Sequence, residues 1–434
     1  MKARLSEMLV IHGGALIDGT GNQPVCPATV VVDGGRLAYA GPSRGFEEMQ
    51  ASSRPGEFEG AEVLDATGMT VMPGLIDTHV HLGLGGEPNY FDTLIREAAP
   101  LAALKALVRA QKTLAAGFTT IRSMGDKGCI DVAVKHAIEQ GYAIGPRVLA
   151  SGRALTITGG HGDMFPDHVH AELMGMVVDG AGEALRGARE QIKAGADNIK
   201  LMATGGGMSP GPATVAQLTV DEMSTAINEA HKFGKTTAAH AIGTQGIKNA
   251  IVAGVDSIEH GTYMDDEAVE LMATHHVFLA ATLAAFKTIK YGPEAGVPAF
   301  TLEKVKAFRE PHIRSLKMCV IAGVQVTVGT DAGTPFNHHG ENAYELECMV
   351  ECGFTPMQAI VAATRTGARA LHLDGDTGTL EAGKMADLVI IDGDPLADVR
   401  ILQDAQRLVV VMKEGKVVAR KGELVQAIGA RHAL

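Results

Sequence analysis

The chain has 434 residues, 46% hydrophobic and 20% charged, which excludes a disordered polymer and supplies apolar side chains for a large core. Its 38 Lys and Arg stand against 50 Asp and Glu, and the net charge of −12 argues against nucleic acid or an anionic membrane as partner. Five cysteines without a C-x-x-C pair make no closed disulfide framework, and neither a secretory leader nor an apolar run of about 18 residues is legible, so the expectation is a soluble protein of the reducing cytoplasm acting on a small molecule.

The chain opens with short apolar runs over 8–17, 28–32, 36–40 and 62–64, with Asp33-Gly34-Gly35 as a hairpin turn between the middle two. Its end reads alike, with strands over 386–391, 408–413 and 416–420 and Glu414-Gly415 as a turn. Neither set holds enough apolar surface for its own core. Both ends are therefore expected to share one small β-sandwich, residues 1–68 with 376–434, which leaves 69–375 as an inserted domain.

Between the ends, eight apolar runs of strand length fall at 70–77, 119–123, 148–151, 198–202, 237–240, 257–259, 277–281 and 325–329. They alternate with helical patterns over 101–116, 131–140, 182–194, 220–233, 244–253, 265–274, 301–322 and 355–370. Eight strand and helix units in this length predict an α/β protein of the (β/α)8 TIM-barrel type. An open doubly wound sheet is the alternative, but G-x-G-x-x-G does not follow the first strand.

A barrel of this type builds its site at the C-terminal ends of its strands, so the polar residues that end these runs carry the information. The first run ends Asp77-Thr78-His79-Val80-His81, and residues two apart on a strand point to one face, so both imidazoles can reach one cation. Lys200 lies in the fourth run, His240 ends the fifth, His260 follows the sixth and Asp331 follows the eighth. One histidine at a strand end is ordinarily a hydrogen-bonded structural residue. Four with an aspartate at one barrel mouth have no packing rationale and read as a metal site. Lys200 is either a salt-bridge partner or, once deprotonated and combined with carbon dioxide, an anionic carbamate able to bridge two metals.

Around the same mouth, His161 in a glycine-flanked loop reads as a substrate contact, with Tyr263, Thr282 and the His338-His339 pair as weaker candidates. For the His pair a solvated loop is the plainer reading. Cys348 and Cys352, four apart in a helical stretch, read as packing, and Leu82-Gly83-Leu84-Gly85-Gly86 as a mobile loop rather than a phosphate cradle.

These residues carry a resemblance. From Pro73-Gly74-Leu75-Ile76-Asp77-Thr78-His79-Val80-His81 to Glu381-Ala382-Gly383-Lys384-Met385-Ala386-Asp387-Leu388-Val389, the chain resembles the amidohydrolase superfamily over nearly its whole length. Thr158-Gly159-Gly160-His161-Gly162, the run Ile199 to Gly206, Ala239-His240-Ala241 and Ser257-Ile258-Glu259-His260-Gly261 are similar to the group related to imidazolonepropionase. That group includes metal-dependent prolidases, Xaa-Lys and Xaa-Arg carboxypeptidases, ochratoxin-cleaving amidases and arylurea hydrolases.

The resemblance implies that His79, His81 and Asp331 hold one divalent ion, His240 and His260 a second, and Lys200, carboxylated by carbon dioxide, bridges them. Zinc is the expected metal, since imidazole and carboxylate ligands suit it. The implied activity is hydrolysis of the amide of a dipeptide or N-acyl amino acid by a hydroxide shared between the metals, with Asp331 as the base. Deamination of a small heterocycle, or arylurea and carbamate hydrolysis, are the alternatives on the same site. Several peptidases of the group have Tyr two positions after the strand-five histidine, where this chain has Ile242, so a dipeptidase specificity does not transfer directly. A homo-oligomer is also implied.

Overall fold

The computed structural model describes residues 8–54, 57–166, 168–169, 174–291 and 295–425. Two sheets are made from the chain ends. In the first, Leu9–His12 pairs antiparallel with Ala28–Asp33 and parallel with Glu62–Asp65, and Arg36–Pro42 adds the far edge. The second joins Ala15–Leu16 and Thr70–Pro73 to Leu388–Ile391, Leu408–Lys413, Lys416–Arg420 and Glu423–Leu424. The turn at Gly34 and Gly35 has positive φ at both positions, 54° and 93°, as a tight hairpin of this hand requires.

Period-two alternation explains how the second sheet is placed. Leu388 and Ile390 point into an apolar cluster with Val30, Val32, Val410 and Met412, whereas Val389 and Ile391 point into the main core with Phe118, Leu75 and Val411. One strand thus has two buried faces, which is why it reads as a continuous apolar run.

The expected single strand over 70–77 is two strands. Thr70–Pro73 pairs with Leu388–Ile391, and Leu75–Val80 pairs with Phe118–Ser123. Gly74 marks the break: a Cβ there would lie 2.2 Å from the Thr119 hydroxyl oxygen, so only glycine lets the chain pass.

From Leu75–Val80 onward the strands run parallel in chain order through Phe118–Ser123 and Arg147–Leu149, then Asn198–Met202, Thr236–Ala241, Ser257–His260, Phe278–Ala280 and Val326–Thr327. Backbone bonds close the two arcs into a barrel. At one seam the N–H of Asp197 donates to the Ala150 carbonyl at 2.7 Å, and at the other the N–H of Thr78 donates to Val328 at 2.9 Å. The eighth strand is shorter than its apolar run, because past Thr327 the backbone leaves strand seven and bonds strand one.

The helices between strands fall close to their sequence patterns, for example Ala181–Ala194 and Val220–Lys232, the latter started by a Thr219/Glu222 capping box. The pattern over 355–370 is instead Pro356–Val361, a π-turn at Ala362–Thr366, and Gly367–Ala370. Helix Tyr90–Arg96 and the parallel strands Ala154–Thr156 and Gly175–Val177 are additions to the sequence reading. No helix among the described residues is long and apolar enough to cross a membrane.

Candidate metal centre

The strand ends bring His79, His81, Lys200, His240, His260 and Asp331 to the walls of one cavity. His79 and His81 come from strand one, with ring centroids 5.3 Å apart, and His79 lies 5.1 Å and His240 4.7 Å from His260. Asp331 and His260 both hold positive φ, 58° and 71°, a conformation that costs a non-glycine residue free energy and turns each side chain off its strand. Asp331 is held there by its N–H on the His79 carbonyl at 2.8 Å, and its Oδ1 lies 3.3 Å from Nε2 of both His79 and His81. Donor atoms of His79, His260 and Asp331 all fall within 4.8 Å of one another. Buried Asp77 laces the two carrier segments together, accepting from the His79 N–H and from the N–H and hydroxyl of Thr330.

Each imidazole has one nitrogen committed to the protein. Nδ1 of His79 meets Glu259 Oε2 at 2.6 Å, and Nδ1 of His81 meets the Gly125 carbonyl at 3.1 Å. Nε2 of His240 meets the Gly205 carbonyl at 2.9 Å. Nδ1 of His260 meets the Thr282 hydroxyl at 2.8 Å, whose own proton goes to the Ala281 carbonyl. All four partners accept, so the tied nitrogens carry the protons and the other four are left as lone-pair donors, the arrangement that metal-binding histidines require. The free nitrogen of His79, Nε2, is buried without a hydrogen-bond partner. Burial holds His240 and His260 well below the ordinary imidazole range, which keeps them neutral as ligands must be.

Lys200 is 1% exposed, and its amine makes no hydrogen bond or ion pair among the described residues. Burial lowers its pKa to about 8, despite the opposing pull of Glu259 and Asp331. The amine is thus partly neutral near physiological pH, in the same cavity as the free imidazole nitrogens. The donor set therefore suits divalent metal.

Behind these groups lies a charged layer that the sequence reading did not assign. Glu259 accepts from His79, from the Ser257 hydroxyl at 2.6 Å and from Arg122 at 3.0 Å, and Arg122 also donates to the Thr78 carbonyl. Both are wholly buried. Burial raises the Glu259 carboxyl, but Arg122 and His79 outweigh it and hold it well below the usual range. The signal was a charged residue inside each of two apolar strands, since such a residue needs a buried partner.

His161 lines the cavity, its ring 4.3 Å from that of His240 and its Nδ1 2.8 Å from the Ser209 hydroxyl. Burial lowers its pKa to about 3, so it is neutral. Gly206 makes room for it, since a Cβ there would sit 2.4 Å from the ring. Tyr263 is not among the lining residues. It packs edge-on against Phe308, with its hydroxyl reaching the Ala307 carbonyl at 3.4 Å. Thr282 orients His260, and of the His pair His339 is buried, bonding the carbonyls of His81 and Leu84, while His338 bonds that of Gly85. The glycine-rich segment after strand one is thereby fastened down.

A closed parallel barrel with imidazoles, a lysine and a carboxylate at the C-terminal mouth defines a hydrolase suited to divalent metal. The chain belongs to the amidohydrolase family, whose profile matches residues 70–418, and it is a hydrolase acting on C–N bonds. It is 30% identical to ochratoxinase of Aspergillus niger over 96% of this chain and 88% of that protein. It is also 26% identical to imidazolonepropionase of Rhizobium rhizogenes, over 85% and 88% of the two chains. Among solved structures, a Xaa-Pro dipeptidase with methionine bound in its active site superposes with a TM-score of 0.85 at 32% identity, covering 94% of this chain and 99% of the other. A prolidase complexed with N-methylphosphonate-L-proline gives 0.85 at 31% identity, covering 95% and 100%.

Proposed function

We propose that the protein is a binuclear amidohydrolase that cleaves the amide of a dipeptide or N-acyl amino acid. One observation carries this reading: four histidines are each fixed with one nitrogen tied and the other free, around a buried lysine without a partner. His79, His81 and Asp331 would hold one ion, His240 and His260 the second, and carboxylated Lys200 both. Zinc suits these ligands. Bound there, two divalent ions supply an activated water and polarise the scissile carbonyl.

The chain's own residues do the rest. The Asp331 carboxylate takes the proton of the attacking water as oxygen adds to the carbonyl carbon, and returns it to the leaving nitrogen as the C–N bond breaks. His161, kept neutral by burial and accepting at Nδ1 from Ser209, presents its Nε2 proton to the carboxylate of the leaving amino acid. Glu259 holds the His79 ring in the ligating tautomer. The acidic balance of the chain also favours a small-molecule substrate over nucleic acid.

The test is mass spectrometry of products after the zinc-loaded protein, supplied with bicarbonate, meets pooled dipeptides and N-acyl amino acids. Release of free amino acids, abolished in Asp331→Asn, is expected. Turnover of ureas or heterocycles alone, with these amides untouched, would overturn the reading.

A further inference from the structure

We infer that the acyl side of the scissile bond is uncharged and apolar, so that N-acyl amino acids lacking an α-ammonium are the substrates and free dipeptides are disfavoured; this rests on the amide-hydrolase reading above. In a dipeptide the α-ammonium is borne by the carbon next to the scissile carbonyl, about 2.5 Å from the carbonyl carbon. It cannot stay in solvent while that carbonyl reaches the ligand cluster. It must enter the cavity beside it.

Nothing described there balances its charge. Among the described lining residues Asp331 is the one acidic side chain, and on that reading both it and the Lys200 carbamate would be committed to the ions. Glu259 is behind the wall, wholly buried and occupied by Arg122, Ser257 and His79. The rest of the wall carries no anion and is largely apolar, with Met164, Met202, Met208, Ile242, Phe286 and Phe308 facing the space among neutral threonines. Close by, the Lys304 ammonium spends its protons on the carbonyls of Gly206, Ser209 and Gly211, which fixes the loop bearing Met208 and adds like charge rather than a counter-ion. An ammonium taken from water into such a wall without an anion is strongly disfavoured, whereas an aromatic or alkyl acyl group gains by burial, with thioethers able to adjust around it.

The experiment uses two compounds that differ only in the ammonium, L-phenylalanyl-L-phenylalanine and 3-phenylpropanoyl-L-phenylalanine, on the metal-loaded protein, with released phenylalanine quantified. At pH 6.5 kcat/KM is expected to favour the acyl compound by about 100-fold or more. The ratio should shrink as pH rises past about 8, where the dipeptide amine becomes neutral, and titrations of the protein itself divide out of it. Equal cleavage of both at pH 6.5, or a preference unchanged by pH, would overturn the inference while leaving the amide-hydrolase reading standing. Cleavage of neither would overturn that reading, and this inference with it.

Discussion

His79 Nδ1 lies 2.6 Å from Oε2 of Glu259, and neither side chain is accessible to water beyond 1%. The contact sits one bond network removed from the cavity, since Glu259 is also the partner of buried Arg122 at 3.0 Å. Replacing Glu259→Gln keeps the shape but removes the charge that both partners need. Breaking one side of a buried pair costs about 3–5 kcal/mol, and loss of a carboxylate behind a ligating histidine lowers metal affinity about 10–100-fold. Urea unfolding of the metal-free protein and chelator competition separate the two effects. A variant with unchanged affinity would mean that Glu259 serves the barrel interior alone.

Lys200 offers a sharper choice. If it bridges two ions as a carbamate, Lys200→Ala should lower bound metal from two ions per chain to one or fewer, measured by elemental mass spectrometry after dialysis. If it is only a buried ammonium, the same substitution removes an uncompensated charge, so stoichiometry should hold and the urea midpoint should rise.

The convergence of these groups was legible because each polar residue ends an apolar run, and a barrel brings all such ends to one mouth. The terminal strands were legible for a similar reason, as Leu388 to Ile391 has no polar position to spare. What escaped depends on which wall a loop residue faces. Tyr263 stands only three positions after His260, yet it packs on Phe308, because no periodicity governs a loop. Thr282 reaches His260 only through a positive φ of 59°, which no side-chain pattern announces. The break at Gly74 hid inside the run over 70–77 because both halves are buried throughout. Strand Ala154–Thr156 has only three residues, too few to show a period.

Away from the cavity, His231 and Asp256 predict a pH window. Nε2 of His231 lies 2.9 Å from Asp256 Oδ2, and the hydrogen bond to Asp256 raises the imidazole. Burial raises the carboxyl of Asp256, but hydrogen bonds from His231 and Thr237 outweigh it and leave it lowered. The raised imidazole contributes fully below about pH 6.5 and its share is lost as pH rises through its folded pKa. The lowered carboxyl contributes fully above about pH 4 and its share is lost as pH falls through its folded pKa. The pair is therefore strongest between roughly pH 4 and 6.5. Because the His231 side chain is 39% exposed, solvent screening keeps the gain below about 1 kcal/mol. His231→Gln should lower the urea midpoint at pH 5 by more than at pH 8.5. An equal drop at both would assign the effect to packing.

Gly206 lets the cavity be tested without touching a charged group. A Cβ at this position would lie 2.4 to 2.7 Å from three atoms of the His161 ring. The ring cannot retreat on its other side, where it packs on His240 at 4.3 Å, and its Nδ1 is tied to Ser209. Gly206→Ala should therefore turn His161 away from the substrate while leaving the barrel folded, since Gly206 itself lies outside every strand. If His161 holds the leaving carboxylate, KM should rise about 10-fold or more for an N-acyl amino acid, as expected for loss of a hydrogen bond to a charged group. The matching amino-acid amide, which has no carboxylate, should change much less. The metal content should stay as in the parent. An equal loss on both substrates would mean that His161 acts through His240 and the metal centre, not by holding the substrate.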